Sequence, residues 1–191
     1  MMNEARLVVL ETERLILREV AEDDWRELQI IHSHPEVTRY WEPRRTTEQT
    51  REWLREAIRA NREVPRHSYD FVIIRKADQA LIGQIGFGNA ECRHHGELDF
   101  GYALAREYWG RGYMTEALRT VLGFGFTELG VHRIWAECDP ANRASARVVE
   151  KTAMQREAHV RQIRTYSGVD GDWHDSLLYA ILDEEWQAQQ T

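Results

Sequence analysis

Gly101-Tyr-Ala-Leu-Ala-Arg-Glu-Tyr-Trp-Gly-Arg-Gly-Tyr-Met-Thr-Glu-Ala-Leu118 is the stretch whose reading decides the fold. An apolar strand runs into the turn Gly110-Arg-Gly112, and an amphipathic helix opens directly from that turn. The first turn of a helix carries backbone N–H groups without intrahelical partners and a partial positive charge. Glycines let an anion approach that backbone closely. Arg106 and Arg111 stand where they add full charges. The stretch therefore predicts a site for a phosphorylated cofactor. An ordinary tight connection and a dinucleotide-binding turn are the alternatives. Against the second, the third glycine of the dinucleotide fingerprint is missing from Gly110-Arg-Gly-Tyr-Met-Thr115, and the unit comes late, after a meander of strands.

Upstream, Glu97 to Leu104 alternates cleanly. Leu98, Phe100 and Tyr102 share one face of a strand, and Glu97, Asp99 and Gly101 the other. Phe71-Val-Ile-Ile74 and Leu81-Ile-Gly-Gln-Ile-Gly-Phe87 read as a hairpin about Lys76-Ala-Asp-Gln79. Leu15 to Val20 is a strand, and Asp23 to Ile31 a helix with acids in its first turn, ended by Pro35. Thr46-Thr-Glu-Gln49 is a capping box that opens a helix with Trp53, Leu54, Ala57 and Ile58 on one stripe. Downstream, the helix of the glycine turn runs through Leu118, Val121, Leu122 and Phe126 and stops at Gly130. Arg133 to Cys138 is a strand, and Asp139-Pro-Ala-Asn142 starts a helix reaching about Thr152. Two last strands, near Ala158–Ile163 and Leu177–Leu182, flank Ser167–Asp172, rich in turn formers. The order β-α-α-β-β-β-α-β-α-β-β predicts a mixed α/β fold, one domain over 1–191 with its core from about 12 to 186.

The 191 residues suffice for one such core. Hydrophobic residues at 42% and charged residues at 30% give a soluble globular profile. No apolar run approaches the roughly 18 residues of a membrane span, and Met1-Met-Asn-Glu-Ala-Arg6 leads into no apolar signal core. Two cysteines, Cys92 and Cys138, make no disulfide framework, so a cytoplasmic location is the default. A net charge of −7 argues against a nucleic-acid binder. Cys92-Arg-His94-His95 fits no zinc spacing well, and a polar hairpin loop explains it. No metal is expected.

Four segments together resemble the GNAT superfamily of acetyl-CoA-dependent N-acetyltransferases, and most of all its RimJ/RimL-like branch. They are Thr12-Glu-Arg-Leu-Ile-Leu-Arg18 with Glu22-Asp-Asp24; Glu97–Leu104 with Tyr108–Ala117; Asn142-Arg-Ala-Ser145 through Glu150-Lys151; and Gly171-Asp-Trp-His-Asp175 with Tyr179 and Trp186. The resemblance implies a mostly antiparallel central sheet, splayed at the acetyl-CoA site, with helices on both faces. It implies that backbone groups of Tyr102, Ala103 and Leu104 pair with the pantetheine arm. Backbone N–H groups from Gly110, Arg111, Gly112, Tyr113, Met114 and Thr115 would bind the pyrophosphate, beside the charge of Arg106; Asn142 would bond the pantetheine arm or the end of the neighbouring strand, and Ser145 would also belong to the cofactor site. Dimers are common among such proteins, so a homodimer is part of the expectation.

An amine attacks only as its free base, so a carboxylate or His must take a proton, and a hydroxyl can protonate the leaving thiolate. The helical Tyr that is the acid in many members falls on Val149, and Ser145 is the hydroxyl left in its region. Ser145 is the acid candidate, with a capping serine as the alternative. The carboxylate that some Rim members carry on the strand after the second helix falls on Arg164. Glu97 is therefore the favoured base, Asp99 shares its face, and His174 and Asp175 follow; solvated strand carboxylates are the plain alternative. Tyr40, Trp41, Asp99, Trp173 and Asp175 are assigned to the acceptor pocket, although Tyr40-Trp41 can equally pack the core and Trp173 and Asp175 fix the hairpin. Direct transfer is favoured over a covalent intermediate on Cys138. The acceptor is a primary amine: a protein N-terminus, as in the ribosomal-protein enzymes, or a small amine, amino acid or antibiotic. A CoA-binding module without turnover is the rival from another class.

Overall fold

The structure is a computed structural model that describes residues 7–41, 44–64, 66, 68–87, 96–165 and 173–190. Its centre is an eight-stranded sheet in the order β1-β2-β3-β4-β5-β6-β8-β7. The strands are β1 (Val9–Glu11), β2 (Leu15–Glu19), β3 (Tyr69–Arg75), β4 (Ala80–Phe87), β5 (Glu97–Leu104), β6 (Arg133–Cys138), β7 (Gln155–Thr165) and β8 (Trp173–Leu182). The helices are α1 (Trp25–Ser33), α2 (Thr47–Ala60), α3 (Tyr113–Thr127), α4 (Arg143–Glu150) and α5 (Asp183–Ala188). Strands β1 to β5 form an antiparallel meander. The β5–β6 pair is parallel, and β8 then pairs antiparallel with both β6 and β7. This is no doubly wound parallel sheet, so the dinucleotide alternative falls with the topology.

Both faces of the meander are buried, which is why β3 reads as the unbroken apolar run Phe71-Val-Ile-Ile74 rather than as an alternation. Phe71 and Ile73 pack with Leu118, Val121 and Leu122 of α3 on one face. Val72 and Ile74 pack with Leu28 of α1 and Leu54 and Ala57 of α2 on the other. Helix α2 begins at the expected capping box: the Gln49 N–H donates to Thr46 Oγ1 (3.3 Å) and the Thr46 N–H to Gln49 Oε1 (2.8 Å). Helix α3 comes so close to the sheet that a Cβ on Gly125 would lie 2.7 Å from Ile134 Cδ1 and 3.0 Å from Phe87 Cζ.

Two elements were not expected, β1 and α5. Strand β1 is a three-residue edge paired with β2, too short to show a period. In α5, Trp186 stacks on Phe126 of α3 with ring centroids 5.9 Å apart. Strand β7 runs longer than expected, with register shifts at Arg156/Ala158 and Val160/Arg164.

Candidate active site

Strands β5 and β6 pair over only three positions, Glu97↔Arg133, Leu98↔Ile134 and Asp99↔Trp135. Beyond Asp99, β5 stays with β4 while β6 stays with β8. The sheet is parted between Phe100–Leu104 and Ala136–Cys138. Two cavities meet at the gap, of about 740 and 560 Å³, and share Tyr40, Tyr102, Asn142 and Ser145. The larger lies over the α1/α2 face of β3 to β6 and is lined by Trp41, Trp53, Asp70, Asp99, Glu137 and Arg164 among others. The smaller is lined by the end of β5, the glycine turn and α4.

The smaller cavity has the shape and donors of a cofactor cleft. The Ala105 N–H bonds the Ile82 carbonyl at 2.8 Å. Alternation along an antiparallel strand then gives the Ala103 backbone to β4 and turns those of Tyr102 and Leu104 towards the gap, where the strand has no partner. The Leu104 carbonyl accepts the Trp109 indole N–H at 2.7 Å, leaving its N–H and both Tyr102 groups as an open edge. Gly110 and Gly112 have φ of 74° and 79°, values that an L side chain rarely adopts. Gly112 is the N-cap of α3, and its left-handed turn aims the first N–H groups of Tyr113, Met114 and Thr115 at the cleft. Asn142 caps α4, its Oδ1 accepting the Ser145 N–H at 3.2 Å.

The arginines differ from expectation. Arg106 does not line the cleft: it donates from Nε to Glu36 Oε2 at 2.5 Å and stacks over Trp109. Arg111 lies over Tyr108, and its carbonyl accepts from Arg14. The cations that line the cleft are Arg143, Arg147 and Lys151 of α4 and its end, with Arg39 opposite. No single-residue pattern marked them; the helical spacing 143, 147, 151 was the available signal.

The structure places the two carboxylates of the expected base pair differently. Glu97 lines neither cavity. It lies where β5 and β6 are still joined, with its Oε2 3.5 Å from Arg133 Nη1. Asp99, one step further along the same face, is at the point of parting and lines the larger cavity. Its Oδ1 is buried without a hydrogen-bond partner. Burial pushes its carboxyl up from the usual carboxylate range, the negative charge of Glu137 adds to this, and Arg164 opposes it. Glu137 and Arg164 form an ion pair across the cavity wall. Asp70 lies on β3 over Gly86, and burial pushes its carboxyl up to about 6.

At the junction of the two cavities Tyr102 Oη and Ser145 Oγ are 2.8 Å apart. Sequence reasoning gave Tyr102 only a backbone role. Burial raises its phenol well above the ordinary value. Cys138 also lines the larger cavity, and burial raises its thiol to about 11, which leaves little thiolate for a nucleophilic role. Tyr40 and Trp41 line the larger cavity as expected. Trp41 also packs edge-on against the buried His32, at 5.8 Å between centroids. Trp173 and Asp175 line neither cavity. Trp173 is 63% exposed, and Asp175 holds the β7–β8 hairpin, accepting from the Gln162 N–H (3.0 Å) and pairing with His159 Nε2 (2.7 Å). His174 Nδ1 lies 3.0 Å from Asp139 Oδ2, away from both cavities. The described residues contain no cluster able to hold a metal ion, and Cys92, His94 and His95 lie outside them. No helix among the described residues is long and apolar enough to cross a membrane.

A parted sheet with an anion-binding helix N-terminus on one side and a carboxylate-lined cavity on the other defines a group-transfer enzyme of the acetyltransferase class. The chain belongs to the GNAT family: the model of the acetyltransferase (GNAT) domain matches residues 14–155. Within that family its similarity extends to the RimJ/RimL-like branch. It is 25% identical over 183 residues to the [ribosomal protein uS5]-alanine N-acetyltransferase of Escherichia coli (strain K12), covering 94% of this chain and 93% of that one. It is 31% identical over 175 residues to the uncharacterised N-acetyltransferase YnaD of Bacillus subtilis (strain 168), covering 92% and 97%. The crystal structure of a GNAT-family acetyltransferase from Bacillus anthracis superposes with a TM-score of 0.80 at 30% identity, covering 93% of this chain and all of that one. The enzyme is therefore an acetyltransferase, and its donor is acetyl-CoA. The residues present fit that group: the unpartnered edge of β5 suits an extended amide-bearing arm, and the N-terminus of α3 with the α4 cations suits phosphates.

Proposed function

We propose that the chain transfers acetyl directly to a primary amine held in the larger cavity, with Asp99 as the proton acceptor. Acetyl-CoA supplies the activated acetyl thioester. The open edge of β5 aligns the donor, and the gap beyond Asp99 joins the two cavities, so that donor and acceptor meet through the sheet. Asp99 carries the reading: it is the one strand carboxylate of the notable pair Glu97/Asp99 that faces the cavity, and an upward-shifted carboxyl is a better base towards an ammonium than an ordinary one. The Ser145 and Tyr102 hydroxyls stand at the junction, where Ser145 Oγ can donate a proton towards a departing sulfur. The high phenol of Tyr102 suits it to remain protonated and hold Ser145 in place. The raised thiol of Cys138 supports direct transfer.

The similarity to a ribosomal-protein alanine acetyltransferase supports an α-amine, such as a protein N-terminus, as acceptor. Arg164, which the resemblance sets in place of a Rim carboxylate, favours a second reading, a small amine-bearing molecule. Thiol release from acetyl-CoA, measured over peptides, amino acids, polyamines and aminoglycosides, tests the activity and sorts these acceptors. With any acceptor that turns over, Asp99→Asn should lower kcat about a hundredfold or more and remove the acid limb of the pH–rate profile, with the Kd of acetyl-CoA little changed. Glu97→Gln should leave turnover within about twofold, since it only loosens a long, half-buried ion pair whose arginine keeps Glu157 as a partner. The reverse pattern would return the base to Glu97.

A further inference from the structure

Resting on the acetyl-transfer reading above, we infer that Arg164 is the specificity-determining residue of the acceptor cavity, taking with Trp135 the oxygen on the carbonyl carbon next to an acceptor amine held at Asp99. Arg164 owes its position to an irregularity in β7. The β7–β8 register shifts between Val160 and Arg164, and Gln162 there adopts a φ of 50°. Asp175 fixes the kink by accepting the Gln162 N–H. Such bulges re-aim the side chains that follow them, and Arg164 resumes pairing opposite His174 with its side chain on the wall of the larger cavity.

Asp99, Trp135, Glu137 and Arg164 all line that wall. One guanidinium nitrogen of Arg164, Nη2, bonds Glu137, and its remaining N–H groups have no partner among the described residues. A guanidinium fork takes a second carboxylate or carbonyl without losing the first. Trp135 and Asp99 are register partners. Asp99 Oδ1 is a buried acceptor without a donor, and Trp135 Nε1 a buried donor without an acceptor. Buried unpaired groups of this kind are costly. A molecule that brings N–H groups and oxygen on adjacent carbons complements both at once. A polyamine offers Asp99 its amine but has no oxygen for Arg164 or Trp135, and an amino sugar offers them neutral hydroxyls in place of a carboxylate or a carbonyl. Glu137 and Arg164 are also the charges that bear on Asp99, and Asp70 and Arg45 face the same cavity. A test must therefore separate recognition from a mere change in the basicity of Asp99.

A matched trio does so: phenylalanine, phenethylamine and a peptide amide beginning with phenylalanine, chosen because Tyr40, Trp41 and Trp53 wall the cavity. The readout is the ratio of kcat/KM for each α-amino compound to that for phenethylamine. An altered Asp99 acts on all three amines and largely cancels in the ratio, whereas a lost carbonyl contact does not. The wild-type ratio should exceed one for phenylalanine, for the peptide, or for both, and which of them it is identifies the free amino acid or the chain N-terminus as the source. Arg164→Ala should lower that ratio about tenfold or more, mostly through KM, the usual scale for a lost charged hydrogen bond. Arg164→Lys should recover part of it. Equal ratios in wild type and Arg164→Ala, or phenethylamine as the best acceptor throughout, would overturn this inference while leaving acetyl transfer standing. No turnover of any of the three, or of the wider amine panel, would instead remove the reading on which it rests.

Discussion

Asp70 and Asp99 are carboxyls that the fold holds against their own ionisation, and the two differ in what that costs. Asp99 stands at the parting of β5 and β6, where the proposed transfer calls for a proton acceptor. Asp70 has a carboxyl raised to about 6, chiefly by burial and only partly offset by Arg66 and Arg45. Below the unfolded value of about 4 both states hold the proton and no penalty exists. Between about 4 and 6 the folded state keeps a proton that the unfolded chain has released, so stability falls as pH rises. Above about 6 the whole penalty is present, up to about 3 kcal/mol. Asp70→Asn should therefore raise Tm at pH 7 to 8, with the gain shrinking to nothing by pH 4. A gain that is the same at both pH values would point to packing rather than charge. At this scale the sequence was only half legible. Alternation put Glu97 and Asp99 on one face, which is correct, but a strand does not state where its neighbour leaves it. That two-residue difference decides which carboxylate meets the cavity. Asp70 carried no signal at all, since its setting comes from β4 and from the residues packed over them.

At the scale of elements, local chemistry was the most readable. The capping box at Thr46 and Gln49, the glycine turn before α3 and the strand Glu97–Leu104 all stand where the sequence put them, because each is settled within a few residues of chain. The long-range devices were not readable. The kink of β7 sits on Gln162, a residue that gives no sign of a positive φ, and it exists because Asp175 on β8 accepts its N–H. Gly83 is another such device. A Cβ there would stand 2.6 Å from the Ala103 carbonyl and 2.9 Å from Leu104 Cδ1. The Leu104 methyl can turn aside, but the Ala103 carbonyl is backbone and cannot yield without moving β5, whose far edge is the one open to the smaller cavity. Gly83→Ala should cost about 1–3 kcal/mol of stability and weaken acetyl-CoA binding at least severalfold by calorimetry. A stability loss with unchanged affinity would mean that the displacement is absorbed on the β4 side.

Across the whole molecule, the mixed α/β class followed from the order of elements, while helices on both faces were implied by the family resemblance. The splay came from family resemblance alone, since no periodicity reveals that two strands part. The sheet is thus two half-sheets, β1 to β5 and β6 to β8, tacked together by three residue pairs. Backbone pairing across that seam is confined to those three pairs, although α3 packs on both halves, so opening of strand hydrogen bonds should concentrate there. Hydrogen exchange should show β6 and the β7–β8 hairpin less protected than β3 and β4 in the free protein. Added acetyl-CoA should slow exchange at the end of β5 and along α4, and a uniform effect over the chain would count against the seam. The same three pairs have a consequence for the life of the protein in a cell. Whatever lies in the gap is a clasp as much as a reagent, and a ligand that binds only the intact form lowers the fraction open to proteases. The supply of donor would then govern how long each molecule survives as well as how fast it works.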